Sequence, residues 1–358
     1  MKVKIYLLLL SIGSIFFYAC QSQEPVIYHT DGTTQVAGVP VLRRALKMIY
    51  RDTRGRYWFV NGMDEVYTWT EDSVMHYCAL SAYGEENNIR SIQEDKEGNL
   101  FFDTDIGVLR MEGEDFVLLE VADRLAPGDW VSQTGDLWFT GGRGHKGAYR
   151  YDGEALYFME FPDHPRAGEA AREYASYHTD LIYKDSKGGL WFSTQNQGFF
   201  YFLDGQLYGL YDKVLGVNPI GANYGWESVA EDGKGFLWIN KPGVKIRVLE
   251  SQDEGDLVLK PLRYERLPGI DDERIAAINS FLSVVYAEKS LWFSDNLGRI
   301  WQYDGKILRQ REIMYFGAAL SCHSLRVDRE GRLWAFMPQT GHYYYEKDEF
   351  LRFTMSQK

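Results

Sequence analysis

Short runs of apolar residues, cut off by glycine or by an acidic residue next to glycine, recur from about residue 46 to the end of the chain. "GGLWFSTQNQGFFYFLDG", residues 188–205, shows the pattern at its densest: Trp191 and Phe192 form one run, and Phe199, Phe200, Tyr201 and Phe202 a second. Such runs are too short for helices, and aromatic residues bounded by Asp and Gly mark β-strands joined by tight turns. Helix-favouring stretches are almost absent, so the expectation is an all-β chain.

The stretch is one of seven copies. In chain order they are "DTRGRYWFVNGMDEVYTW", "DKEGNLFFDTDIGVLRM", "TGDLWFTGGRGHKGAYRYDG", "DSKGGLWFSTQNQGFFYFLDG", "DGKGFLWINKPGVKIRVL", "KSLWFSDNLGRIWQYDG" and "DREGRLWAFMPQTGHYYYEKD". Their anchoring aromatics are Trp58, Phe101, Trp138, Trp191, Trp238, Trp292 and Trp334, spaced 37 to 54 residues apart, the length of one four-stranded propeller blade. Asp52, Asp95, Asp185, Asp232 and Asp328 each stand six residues before their aromatic, with Gly55, Gly98, Gly188, Gly235 and Gly331 three residues after the Asp. In a tight turn with Asp first and Gly fourth, the Asp side chain caps backbone amides and the glycine accepts positive φ. Each Asp-x-x-Gly therefore joins strand A of a blade to strand B. Copies three and six have shortened turns at this point, at 133–136 and 287–290. The predicted fold is a seven-bladed β-propeller with four antiparallel strands per blade over residues 46–358, the strand B aromatics filling the wedges between blades.

The copies resemble the two-component regulator propeller repeat, "SIQEDKEGNLFFDTDIGVLRM" most closely and "YKDSKGGLWFSTQNQGFFYF" next, over about residues 46–354. The resemblance implies a sensor-type propeller. Members of that family are usually ectodomains fused through a membrane helix to a kinase. This sequence shows neither, so we expect the sensing half alone, carried on a lipid.

The first residues, "MKVKIYLLLLSIGSIFFYAC", have two lysines, an apolar run and a small residue before a cysteine, which is an export signal over residues 1–19. The ending resembles a bacterial lipobox, making Cys20 the lipidated residue and 20–45 a tether and N-terminal segment. Acyl chains would then hold the protein to the outer membrane, on its periplasmic or cell-surface side. Cys78 and Cys322 fall at different places in the repeat, so two free, buried thiols are expected. Without Lys2 and Lys4 the chain carries 37 basic and 51 acidic residues, a net charge of −14, which repels nucleic acid at long range.

The turns joining A to B and C to D share one ring face and repeat closely. Length variation gathers in the B–C and D–A connections on the other face: "TGGRGHKGA", "PDHPRAGEAAREYASYH", "DKVLGVNPIGANYG" and "RYERLPGIDDERIAA". Variable loops on a rigid scaffold are where binding chemistry is usually placed. Five residues before each turn Asp, at the head of strand A, stand Lys47, Arg90, Asp180, Glu227 and His323, all ionisable, with Asn88 and His178 two positions further out. In a closed ring these groups surround the channel mouth. Arg143, His145 and Lys146 lie in one loop of the same face, next to the insertion that carries His164, Arg166 and Arg172, and form a cationic patch suited to an acidic sugar.

Charged residues at strand starts also pair with one another across a water-filled channel. The expectation is nevertheless a monomeric binding or sensing propeller for a glycan fragment or a partner protein, without catalysis and without a cofactor. The alternative is a propeller enzyme, a polysaccharide lyase or hydrolase, with His178 or His323 as general base and a divalent cation held by Asp180 and Glu227.

Overall fold

The computed structural model of the chain describes residues 28–29, 46–61, 65–70, 73–78, 88–113, 115–141, 146–162, 179–194, 198–210, 229–239, 244–250, 255, 257–276, 278 and 281–353. Apart from one two-stranded hairpin, the described strands fall into seven radial sheets, one per copy of the repeat. After β1 (Tyr28–His29), blade 1 runs from the channel outward as β2 (Leu46–Arg51), β3 (Tyr57–Asn61), β4 (Glu65–Thr70) and β5 (Ser73–Cys78), and β1 pairs antiparallel with its outer edge. Blade 2 is β6 (Ile89–Glu94), β7 (Leu100–Thr104), β8 (Gly107–Glu112) and β9 (Asp115–Leu118). The next strands are β10 (Val121–Leu125), β11 (Leu137–Phe139), β12 (Gly147–Tyr151) and β13 (Leu156–Glu160) in blade 3, then β14 (Thr179–Lys184), β15 (Leu190–Thr194), β16 (Gly198–Leu203) and β17 (Gln206–Leu210) in blade 4. Blade 5 is β18 (Val229–Glu231), β19 (Leu237–Ile239), β20 (Lys245–Val248) and β22 (Tyr264–Leu267), with β21 (Leu259–Pro261) leaving to pair with blade 4. A single helical turn, α1 (Glu273–Ala276), precedes blade 6, which is β23 (Phe281–Ala287), β24 (Ser290–Asp295), β25 (Ile300–Tyr303) and β26 (Leu308–Arg311). The hairpin β27 (Met314–Tyr315) and β28 (Ala318–Ala319) leads to blade 7: β29 (Ser324–Val327), β30 (Leu333–Met337), β31 (Gly341–Glu346) and β32 (Glu349–Arg352). No described helix is long and apolar enough to cross a membrane.

The six-residue spacing of Asp and Trp has a physical cause. One carboxylate oxygen of Asp52 accepts the Arg56 backbone N–H at 2.8 Å and closes the turn, while the other accepts the Trp58 indole N–H at 2.9 Å. Asp185, Asp232 and Asp328 hold Trp191, Trp238 and Trp334 in the same way, at 3.1, 2.9 and 2.7 Å. The turn therefore satisfies the only polar atom of a side chain that is otherwise buried between blades. Copy two has Phe101 at the Trp position, and there the Asn99 amide supplies the missing donor to Asp95 at 2.8 Å. All five turn glycines have φ between +78° and +87°, where a Cβ is strained.

Seven apolar clusters occupy the seven junctions between blades. Trp58, Trp191, Trp292 and Trp301 are among the largest fully buried side chains. A second link spans two junctions: the carboxylate before the turn Asp accepts from the residue after the turn Asp of the preceding blade. Glu94 takes the Thr53 N–H at 2.9 Å, and Glu231 takes the Ser186 N–H and hydroxyl at 2.6 Å.

Three features depart from the repeat. Blade 3 has β11 as its innermost strand, and β10 pairs parallel to β13 on the outer edge, so this blade is not four antiparallel strands. Pro127 and Gly128 break the chain after β10, and Trp130 is drawn into the junction with blade 4, leaving no continuous segment for an inner strand. In blade 6 the Asp-x-x-Gly turn has moved to the B–C connection, where buried Asp295 accepts from Trp301 at 2.9 Å on the ring face opposite to its counterparts. "RYERLPGIDDERIAA", expected as a loop, begins with β22, the fourth strand of blade 5; the extra length sits between β20 and β22, on the turn face. Cys322 is a buried free thiol whose pKa burial raises to about 12, whereas the side chain of Cys78 lies outside the described residues.

Candidate functional site

The head of strand A is irregular in one consistent way. The ladder between β2 and β3 slips at Lys47, that between β6 and β7 at Arg90, and that between β14 and β15 at Asp180. Blade 6 slips at Leu282. In blade 7 the His323 N–H bonds the Phe336 carbonyl at 2.8 Å while Ser324 pairs with Phe336, so two residues again oppose one. The position found by counting five residues back from the turn Asp is thus the extra residue of a β-bulge, a device that re-aims a side chain and ends regular pairing.

Arg90 is half-buried and held from two sides. Its Nε and Nη2 bond one oxygen of Asp105 at 2.9 and 2.7 Å, and its Nη1 donates to the Thr179 carbonyl of blade 4 at 3.4 Å. Asn88 donates its amide to the other Asp105 oxygen at 2.8 Å. Partial burial opposes ionisation of Asp105, but the bonds from Asn88 and Arg90 outweigh it and hold the carboxyl below its ordinary range. His323 is exposed at the mouth, its ring edge-on to Phe336. Lys47 and Asp180 lie on strands β2 and β14, but their side chains are outside the described residues, as are His178, Glu227, Arg143 and His145 altogether. Lys146 is half-buried at the foot of its loop, and its carbonyl accepts the Phe161 N–H.

Beneath the mouth, on strand B, small polar residues line the sides facing the next blade. Asp103 of blade 2 is fully buried and accepts the Thr140 N–H and hydroxyl of blade 3, both at 2.8 Å. Burial pushes its carboxyl up, against the pull of those bonds and of the Arg90 charge, and its other oxygen has no partner. Ser294 bonds Ser283, whose oxygen accepts the Leu325 N–H of blade 7 at 2.9 Å.

Two residues that the sequence pattern left aside share the face of blade 7 that meets blade 1, Arg326 on its inner strand and His342 two strands further out. Arg326 lies on β29, exposed to water yet surrounded by protein, which lowers its guanidinium pKa. His342 on β31 is buried, and its Nδ1 has no hydrogen-bond partner. Comparing the copies two residues before the turn Asp would have exposed Arg326, because the equivalents are Tyr50, Gln93, Tyr183 and Ala230, none of them cationic. Among the described residues no group of three or more His, Cys, Asp or Glu side chains comes together as a metal site.

This geometry defines a seven-bladed propeller with a polar channel mouth, and solved structures share the fold. The chain is similar to the extracellular domain of the one-component system BT4673 from B. thetaiotaomicron, with a TM-score of 0.56 and 17% identity, covering 87% of this chain and 42% of that one. It is similar to the extracellular domain of the hybrid two-component system BT3049 from the same organism, with a TM-score of 0.53 and 16% identity over 90% of this chain and 41% of that one. A streptogramin B lyase aligns with a TM-score of 0.55 and 12% identity over 89% and 97% of the two chains. The chain therefore spans less than half the length of the sensor ectodomains it matches. At these identities the likeness is one of fold. No family model matches the sequence, and no curated protein does.

Proposed function

We propose that the protein is an exported, monomeric propeller, lipid-anchored to the outer membrane through Cys20, that binds a glycan fragment or a partner protein on its variable-loop face without chemistry. The observation that supports this most is the recurrent bulge. Regular ladders would serve stability equally well, yet the pairing is interrupted at the channel mouth in blades 1, 2, 4 and 6, in the row of Lys47, Arg90 and Asp180. The opposite face, by contrast, spends its polar groups on closing its own turns. Two neighbours in fold are sensor ectodomains, which favours recognition over turnover.

A thermal-shift screen of the protein against neutral and acidic oligosaccharides tests the proposal, because a ligand that binds only the folded ring raises its melting temperature. The expected result is a shift with an acidic oligosaccharide that is lost in Arg143→Ala or His323→Ala. A flat response to every sugar removes the glycan version and leaves the partner protein. Product released from the same incubations would instead establish the lyase or hydrolase alternative.

A further inference from the structure

Among the described residues, three of the six buried polar side-chain atoms without a hydrogen-bond partner, on Arg51, Trp69 and His342, lie at the seam where the ring closes. Two residues before the turn Asp, Tyr50 bonds Glu94 of the next blade, Gln93 donates to the Trp138 carbonyl, and the Tyr183 hydroxyl accepts the Glu231 N–H. Arg326 holds this position in blade 7 and is turned toward blade 1, but among the described residues it has neither a carboxylate nor a hydrogen-bond partner. It is open to water while protein surrounds it, the condition of a group inside a water-filled channel.

The strand register sets His342 on the same face of blade 7. Ser324, Phe336 and His342 form one cross-strand row, and Arg326, Trp334 and Tyr344 form the row beneath it. His342 is 5% exposed, its Nδ1 has no hydrogen-bond partner among the described residues, and burial, with the Arg326 charge second, keeps the imidazole neutral. Two further buried donors without acceptors, Arg51 Nε and Trp69 Nε1, belong to blade 1 across the same junction. A guanidinium with no counter-charge among the described residues, on the inner strand of a propeller, selects for an anion, and its planar fork suits an oxyanion.

We propose that the central channel binds a small oxyanion, a carboxylate or a phosphate, on Arg326, at the inner edge of blade 7 where it meets blade 1. The acidic-sugar version rests on the binding function proposed above; the free-anion version does not.

Isothermal titration calorimetry of the full chain at constant low ionic strength, with inorganic phosphate, glucuronate and glucose as probes, tests it. The expected result is saturable binding of phosphate, glucuronate or both, weakened about tenfold or more in Arg326→Gln and about threefold in Arg326→Lys, which keeps the charge but loses the fork. Glucose binding, where present, stays unchanged in both variants. Phosphate binding alone assigns a free anion, and glucuronate binding assigns the carboxylate of a sugar. Absence of binding by either anion, or equal affinity in wild type and Arg326→Gln, overturns the proposal. Among the described residues Arg326 has no partner to lose, so Arg326→Gln should melt no lower than wild type without anion. Should it fail to fold, the Arg326→Lys comparison decides, and unchanged affinity there overturns the proposal equally. Loss of glucuronate in Arg326→Gln with neutral oligosaccharides inert leaves the channel site standing without the loop-face glycan site, so the two proposals fail separately.

Discussion

Between blades 3 and 4, Trp130, Trp138, Phe161, Phe192, Phe200 and Phe202 pack ring against ring, with Phe161 and Phe200 stacked at 4.6 Å. Between blades 7 and 1, the described apolar core is Phe59 and Tyr67 with Ile49, Tyr57, Trp69 and Phe353 around them, with Arg326 on the inner strand of blade 7 and His342 buried two strands further out. The first junction joins consecutive segments of chain and excludes water with aromatic rings. The second joins the two ends of the ring, and Phe353, lying just past β32, reaches Tyr57, Phe59, Trp69 and Trp334 at 5.5 to 5.8 Å to close it. In this ring the densest aromatic packing lies at one junction, and a cation with no described partner lies at another, as expected where a binding role withholds a group from the core.

The sharpest way to break this comparison is to truncate a ring on each side of it. Phe192 is fully buried against Trp130, Trp138 and Phe161, so Phe192→Ala should cost about 3–5 kcal/mol, read from equilibrium denaturant unfolding. Phe353 is only half-buried, and Phe353→Ala should cost about 1–3 kcal/mol. Its effect should also be local: amide exchange should speed up in blades 1 and 7 and stay slow in blades 3 and 4. Equal losses from the two variants would show that the seam is no weaker than the continuous junctions.

How much of this was legible in the sequence follows from what repeats. The Asp-x-x-Gly turns and the aromatics six residues on are local signals, so the blade count and the turn face could be read directly. The missing inner strand of blade 3 was only partly legible: Pro127 and Gly128 are a local break, but the packing of Trp130 across the junction with blade 4 shows only in the structure. The displaced turn at Asp295 escaped notice because its Trp301 lies one strand beyond the anchoring Trp292. Counting back from the turn found the bulge row but not its bonding, since Asp105, the partner of Arg90, lies in the B–C turn. Arg326 and His342 stand on different strands, and only the register shows that they share a face.

His342 gives the comparison a pH dependence. Burial first, and the Arg326 charge second, lower its pKa to about 3 from an ordinary value near 6.5. The folded state therefore binds fewer protons than the unfolded chain between those values, so the contribution is fully present above pH 6.5 and falls away as pH drops toward 3. The slope from this one group is at most about 1.4 kcal/mol per pH unit. In His342→Phe, unfolding free energies measured from pH 7 to pH 4 should lose that component of the slope. An unchanged slope would mean that the acid sensitivity of the ring originates elsewhere.

The smallest expected effect concerns the turn-face end of the same seam, where Arg51 and Glu330 pair at 2.6 Å with both side chains about a third or more exposed. An open pair of this kind contributes about 0.2–1 kcal/mol, because solvent screens the attraction and both side chains lose rotamer freedom. The Arg51 stem also lies over the Tyr57 ring, with the guanidinium 5.3 Å from the centroid, so Arg51→Ala alone mixes packing with charge. A double-mutant cycle with Glu330→Gln isolates the pair, and repeating it at 1 M salt should bring the coupling close to zero. A coupling that persists in salt would place the pair in a drier setting than its exposure indicates and would count the turn face among the forces that hold the ring shut. A coupling that vanishes leaves the Phe353 wedge and the apolar core around Phe59 and Tyr67 to do so.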